Sequence, residues 1–178
     1  ASKGEGLGNK FLSHIREVDA ICHVVRCFDD PDITHVNNKI NPVDDIDTIH
    51  TELMLADLDS LNRAAEKSRK LARHNKEEQA RLEVIEGALK HLESGEMAIS
   101  LEVTKEQVAT FKQLHLLTAK KMFFVANIDE DQLADLDNPN QHLKSIKDYA
   151  SDNGYEVVVI CAQIESEISQ LSDDEAVM

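Results

Sequence analysis

Asn127 and Glu130 stand three residues apart, directly after the apolar run Met122-Phe123-Phe124-Val125-Ala126. A run of this kind reads as a buried parallel strand, and polar residues at its carboxyl end fall where open α/β sheets hold ligands. An amide and a carboxylate can each hydrogen-bond the edge of a purine base. Guanine offers two donors, N1–H and the exocyclic amine, to one short carboxylate. Adenine offers a donor at N6 but an acceptor at N1. The longer side chain of Glu130 cannot keep the guanine geometry unless the loop shifts, so the sequence points to an altered, adenine-tolerant base choice. Ile128, between the two, is expected to pack its backbone or side chain on the purine. Taken alone, the tetrapeptide more often marks a turn with an Asx cap.

Positioning such a loop requires a sheet, and the chain alternates strand and helix around one long helical insert. Phe11, Leu12, Ile15 and Val18 recur at helical spacing behind a glycine-rich opening. Ala20 to Phe28 reads as a central strand, dense in apolar residues and carrying the β-branched pair Val24-Val25. A polar loop with Pro31, Asn37-Asn38 and Pro42 follows, then Asp44, Asp45 and Asp47, whose carboxylates suit a helix N-terminus. From Ile46 the pattern is helical for nearly thirty residues, with Ile49, Leu53, Ala56, Ser60 or Leu61, Ala64 and Leu71 as its stripe. A second stripe, Leu82, Ile85, Leu89 and Leu92, predicts an αα-hairpin, an antiparallel coiled coil that ends at Gly95. A helix from Thr104 to about Thr118 is expected next, leading into the strand at Met122. Another spans about Asn140 to Asp152 and stops at Asn153-Gly154. Glu156 to Cys161 is the last strand.

Composition narrows the class. The 178 residues hold 34 acids against 19 Lys and Arg, a net charge of -15 that favours solubility and opposes casual nucleic-acid binding. No apolar run approaches the roughly 18 residues of a membrane span, and no signal-peptide pattern opens the chain. A soluble, cytoplasmic protein with no membrane partner is the expectation. The 3 cysteines, Cys22, Cys27 and Cys161, lie on apolar strand-like segments and read as buried thiols rather than disulfides or zinc ligands. The histidines show no metal-ligand spacing. Against the acidic background, Lys67, Arg69, Lys70, Arg73 and Lys76 cluster at the expected hairpin tip with no acid among residues 67–76. Such a patch can contact phosphates of RNA or the ribosome. It equally suits a solvated coiled-coil face, and the lack of interleaved aromatic residues argues against base stacking.

An ordered series of segments resembles one family. The opening ASKGEGLGNKFL (residues 1–12) is similar to the segment after the D-x-x-G switch of the YchF family, the Obg-like ATPases of the translation-factor GTPase class. The likeness continues through Ile15-Arg16-Glu17, Ala20 to Phe28, Asp32-Ile33-Thr34-His35-Val36, Lys39-Ile40-Asn41-Pro42 and Asp44-Asp45-Ile46-Asp47. It resumes at the N-x-x-E loop and at VICAQIESE (residues 159–167). It is close over roughly the first 66 residues and the last 60, and loose between.

The resemblance implies a fold and a set of roles. The fold is α/β: a partial P-loop NTPase sheet, Rossmann-like and parallel, with an inserted antiparallel helical hairpin. Asn127, Ile128 and Glu130 occupy the family's counterpart of N-K-x-D. Cys161, Ala162 and Gln163 replace the S-A-K loop, whose backbone amides support the base from the other side. His35 maps onto a functionally implicated His of the D-I-x-H-V loop, where an imidazole can position the attacking water in place of the Gln of Ras-like enzymes. No G-x-x-x-x-G-K-[ST] occurs in the sequence. The resemblance therefore implies an internal fragment that lacks the phosphate-binding loop and a downstream TGS domain. Its expected parts are 1–45, the rear of the nucleotide-binding domain, 46–95, the hairpin insertion, 96–172, the remainder with the base-reading loops, and 173–178, an acidic linker.

Two functions are compatible with this reading. One is a switch on ribosomes or RNA that binds and hydrolyses ATP, with GTP as a second substrate, using Mg2+ in the intact protein. The other is a helical-hairpin interaction module without catalysis of its own, with no cofactor bound by the fragment.

Overall fold

Three apolar segments pair into a parallel sheet: β1 (Ala20–Arg26), β2 (Lys121–Asn127) and β3 (Val157–Ile160), in the order β1-β2-β3. In this computed structural model, which describes residues 8–29, 40–73 and 75–171, Phe124 lies opposite Val157 and Asn127 opposite Ile160. The middle strand is β2. Ala20 to Phe28, expected as the central strand, instead forms an outer strand of the described sheet and ends at Arg26. Its exposure alternates, Val24 being 58% exposed and Val25 2%, which is the pattern of a strand covered on one face.

The described residues divide into two compact units, one formed by those within 1–21 and 48–121 and the other by those within 22–47 and 122–178. The second holds the sheet. Phe124 and Ala126 of β2, with Val25 of β1, face Ile46, Leu143, Ile146 and Ala150 in one apolar cluster. The ring of Phe124 meets His23, Tyr149 and Tyr155 edgewise or tilted, with centroids 5.9, 6.1 and 4.9 Å away. Helix α6 (Gln141–Asn153) supplies Leu143, Ile146 and Ala150 at helical spacing. It starts where the Asn140 side chain accepts from Leu143 N–H and stops at Gly154, whose φ of +72° is the left-handed conformation that glycine tolerates. The short helices α5 (Glu130–Ala134) and α7 (Ala162–Ile168) follow β2 and β3.

The other unit is built on a helical hairpin. Helix α2 (Pro42–Leu71) begins at Pro42, four residues before Ile46, because a proline is tolerated in a first helical turn. After a break, Asn75 caps α3 (Lys76–Glu93) by accepting from Glu77 N–H at 2.9 Å. Leu61 and Ala65 of α2 pack with Ile85, Ala88, Leu89 and Leu92 of α3. Burying each such Leu or Ile contributes roughly 1.5–3 kcal/mol relative to exposure. The buried line on α2 runs through His50, Leu53, Asp57, Leu61, Ala65 and Ser68, rotated from the stripe expected on Ile49, Ala56 and Ala64, and Leu71 is exposed. Polar pairs hold the far end: Ser68 Oγ donates to Glu78 at 3.1 Å and Arg69 Nη2 to Glu86 at 2.8 Å.

The helix expected from Thr104 to Thr118 is confined to α4 (Val108–Lys112). The chain leaves it through His115, whose φ is +48°, because the amides of Leu117 and Thr118 are taken by a side chain of α2 rather than by a continuing helix. The compact unit that contains the hairpin continues to Lys121, beyond the boundary at 95, since Ala98, Leu101, Phe111 and Leu116 all join its apolar cluster. Helix α1 (Asn9–Glu17) belongs to the same unit. Lys120 Nζ donates to its last carbonyls, Arg16 O at 3.1 Å and Val18 O, where a cation is favoured.

Candidate functional site

The carboxyl ends of the three strands are joined by hydrogen bonds that converge on Asn127. Its carbonyl accepts Cys27 N–H at 2.8 Å, and the next amide, that of Ile128, donates to Ile160 O at 2.9 Å. The Asn127 side chain crosses to the loop after β3, its Oδ1 accepting Ala162 N–H at 2.9 Å. This bond spends the acceptor of the amide and leaves its Nδ2 donors without a partner among the described residues. Asn127 is half-buried at the end of β2, and Ala162 and Gln163 are exposed in the first turn of α7. Gln163 occupies a position whose amide has no acceptor within the helix, so it can face a ligand.

Asp129, between Ile128 and Glu130, caps α5 by accepting Gln132 N–H at 2.8 Å. The Asx cap of this loop is therefore made by Asp129, and Asn127 and Glu130 take no part in it. Glu130 is exposed at the first position of α5. Ile128 keeps only one of its two expected contacts: its side chain is 1% exposed and packs in the core with Phe124 and Cys161. Only its backbone can face a ligand. Burial of this apolar side chain anchors the loop instead. Cys161 is buried at 3% exposure and offers a ligand only backbone. The support expected from the amides of residues 161–163 is narrowed as well, because Ala162 N–H is already engaged by Asn127.

Of the three thiols, Cys27 and Cys161 are buried as expected and Cys22 is exposed, because it lies on the uncovered face of β1. Burial pushes the Cys27 thiol up to about 12. His35 lies outside the described residues. Lys67, Arg69, Lys70, Arg73 and Lys76 are all exposed, and Arg69, Lys70 and Arg73 line a shallow hollow with Glu66. The pairing of Arg69 with Glu86 neutralises part of that patch. Among the described residues no group of three or more His, Cys, Asp or Glu is arranged to hold a metal ion, and no helix is long and apolar enough to cross a membrane.

Two polar centres escaped the sequence reading. Asp57 is fully buried on α2, where its carboxylate accepts Leu117 N–H at 3.0 Å, Thr118 N–H at 2.8 Å and the Thr118 hydroxyl at 2.8 Å. Arg16 Nη1 stands 3.7 Å away and donates to His115 O at 3.0 Å. Burial raises the Asp57 carboxyl above its ordinary value, while these bonds and Arg16 pull the other way. The available signal was its position between Leu53 and Leu61 on the apolar line. The second centre is Gln132, 7% exposed, for which no sequence signal stood out.

No protein-family model matches the chain. It is 49% identical over 179 residues to "Ribosome-binding ATPase YchF" of Bacillus subtilis (strain 168), an alignment that covers 100% of this chain and 49% of that relative. The protein of the same name from Haemophilus influenzae is 49% identical over 178 residues, covering 99% of this chain and 48% of the relative. That of Escherichia coli O157:H7 is 44% identical over 176 residues, covering 98% and 47%. Among solved structures, that of the Schizosaccharomyces pombe YchF GTPase superposes with a TM-score of 0.85 at 31% identity, covering 99% of this chain and 49% of the other. The chain thus spans about half the length of the curated relatives it matches.

Proposed function

We propose that this chain, homologous over its whole length to the YchF family, is the base-reading and hairpin part of a P-loop NTPase that hydrolyses ATP, and also GTP, on the ribosome. The observation that carries the reading is the bond from Ala162 N–H to Asn127 Oδ1, which ties the two loops that a purine would contact from opposite sides. In this reading Asn127 Nδ2 donates to the base, Glu130 accepts from its amino group, and the backbone of Ile128 and residues 161–163 forms the walls. The names of the relatives support a ribosomal partner and nucleotide hydrolysis. Magnesium would enter with the triphosphate as part of the substrate. His35 is the residue we assign to positioning the attacking water. Residues 1–45 and 96–172 would contribute to the nucleotide domain, and 46–95 to the hairpin. The exposed cations Lys67, Lys70, Arg73 and Lys76, with Arg69, would meet ribosomal or RNA phosphates, a cytoplasmic role.

The test is base preference. The chain is expected to bind AMP at least as well as GMP, and Glu130→Asp to move that preference toward GMP by about tenfold, the value of one re-formed hydrogen bond. Ile128→Lys is unsuited as a companion change, because it places an ammonium in the core. A strong preference of the unaltered chain for GMP refutes the reading.

A further inference from the structure

Gln132 is buried, yet every polar atom of its side chain is committed. Its Nε2 donates to Asp135 O at 2.7 Å and to Asn138 O at 3.3 Å, and its Oε1 accepts Asn140 N–H. Its backbone amide is the one that Asp129 caps. One amide thus closes the whole excursion from Asp129 to Asn140 into a ring. Asn140 passes the constraint on: its Oδ1 accepts Leu143 N–H at 2.8 Å to start α6, and its Nδ2 donates to Cys27 O at 3.0 Å, beyond the end of β1. The short helix that carries Glu130 is therefore fixed at one end by β2 and at the other, through Gln132 and Asn140, by β1 and α6. A five-residue helix has too few internal bonds to hold a direction by itself.

We infer that Gln132, acting through Asn140, is a positioning residue that fixes the direction of Glu130 and so sets which purine the loop accepts. The inference rests on the base-reading role proposed above. A Gln that is 7% exposed, with its amide nitrogen and oxygen both engaged inside the loop, touches no ligand, and its effect passes through the loop it closes. Two carboxylates flank Glu130, Asp129 and Asp131, so a loop free to turn would present a different acid, or none, to the base. Discrimination between adenine and guanine depends on where one carboxylate stands relative to N1 and the exocyclic group, which a rotation of the loop alters more than it alters stacking or wall contacts.

The test uses the 178-residue chain, AMP and GMP as probes, and two substitutions. Gln132→Glu keeps the shape but replaces the donor that faces Asp135 O and Asn138 O by an acceptor. Asn140→Asp keeps the helix cap and turns the bond to Cys27 O into a contact between two acceptors. With the thermal midpoint as a control for folding, each variant is expected to bring the AMP-to-GMP affinity ratio closer to one by roughly two- to tenfold, the factor that one lost hydrogen bond supplies. Faster amide exchange at Glu130 and Asp131, with Asn127 unaltered, is the accompanying sign. If the unaltered chain discriminates between the probes and both variants keep its ratio, the inference is overturned while the base-reading role stands. If the unaltered chain binds neither probe at this loop, both fall. Should Gln132→Glu fail to fold, Asn140→Asp decides alone.

Discussion

Replacing Asp57 by Ala removes the single acceptor of three buried donors. Leu117 N–H, Thr118 N–H and the Thr118 hydroxyl all end on its carboxylate, and both residues are at most 1% exposed. Each donor left without a partner costs about 1–3 kcal/mol. Releasing the carboxylate from its own burial returns part of that sum, as does a water admitted to the vacated space. The net destabilisation is therefore about 3–5 kcal/mol, the size found when one member of a buried charge pair is deleted. Amide exchange at Leu117 and Thr118, read by NMR, measures it locally, and urea unfolding followed by circular dichroism measures it for the helical unit. Asp57→Asn, which keeps one acceptor but turns a donor toward Thr118, should fall between the two. A change below about 0.5 kcal/mol in Asp57→Ala, the range of ordinary surface substitutions, refutes the assignment of Asp57 as the pin of this loop.

The same carboxyl gives a pH dependence of definite sign. Its raised value means that the folded chain holds the proton more tightly than the unfolded one, so stability falls as pH rises from the ordinary carboxylate range through the folded value. The advantage of the unaltered chain over Asp57→Asn should accordingly be larger near pH 4 than at pH 7, and thermal melts at the two pH values check this. Native thiol titration should modify Cys22 alone, with Cys27 and Cys161 reacting only in denaturant. Gly154→Ala, placed at φ +72°, should lower stability by about 1 kcal/mol in urea unfolding. Neutralising Lys67, Lys70 and Arg73 together should weaken RNA or ribosome binding and reduce its salt slope by roughly 2–3. An unchanged slope assigns the patch to solvent.

Much of this architecture was legible because local signals and packing agreed. The apolar run before Asn127 gave β2, the two stripes gave the hairpin, and Asn153-Gly154 gave the end of α6 within one residue. The errors came where tertiary contacts outrank local pattern. Thr104 to Thr118 has helical composition, yet Asp57, about sixty residues away in sequence, takes the amides a continuing helix would use. The true face of α2 was hidden because it includes the polar residues His50, Asp57 and Ser68, which an apolar template excludes. For Ile128 the tetrapeptide leaves backbone and side chain both open to a ligand, and only the fold decides between them, because the side chain follows the alternation of the strand into the core. The exchange of bonds among Asn127, Ala162, Gln132 and Asn140 spans 35 residues and has no periodicity for a sequence to display.

The claim that residues 127–130 and 161–163 read a purine is tested most directly by residue-resolved NMR of the labelled chain titrated with AMP, with ribose 5-phosphate as the control. The account predicts saturable shifts at Asn127, Glu130, Ala162 and Gln163 with AMP alone, at about millimolar affinity or weaker because the chain carries no phosphate-binding loop. Shifts of equal size with ribose 5-phosphate, or AMP shifts confined to other residues, contradict it.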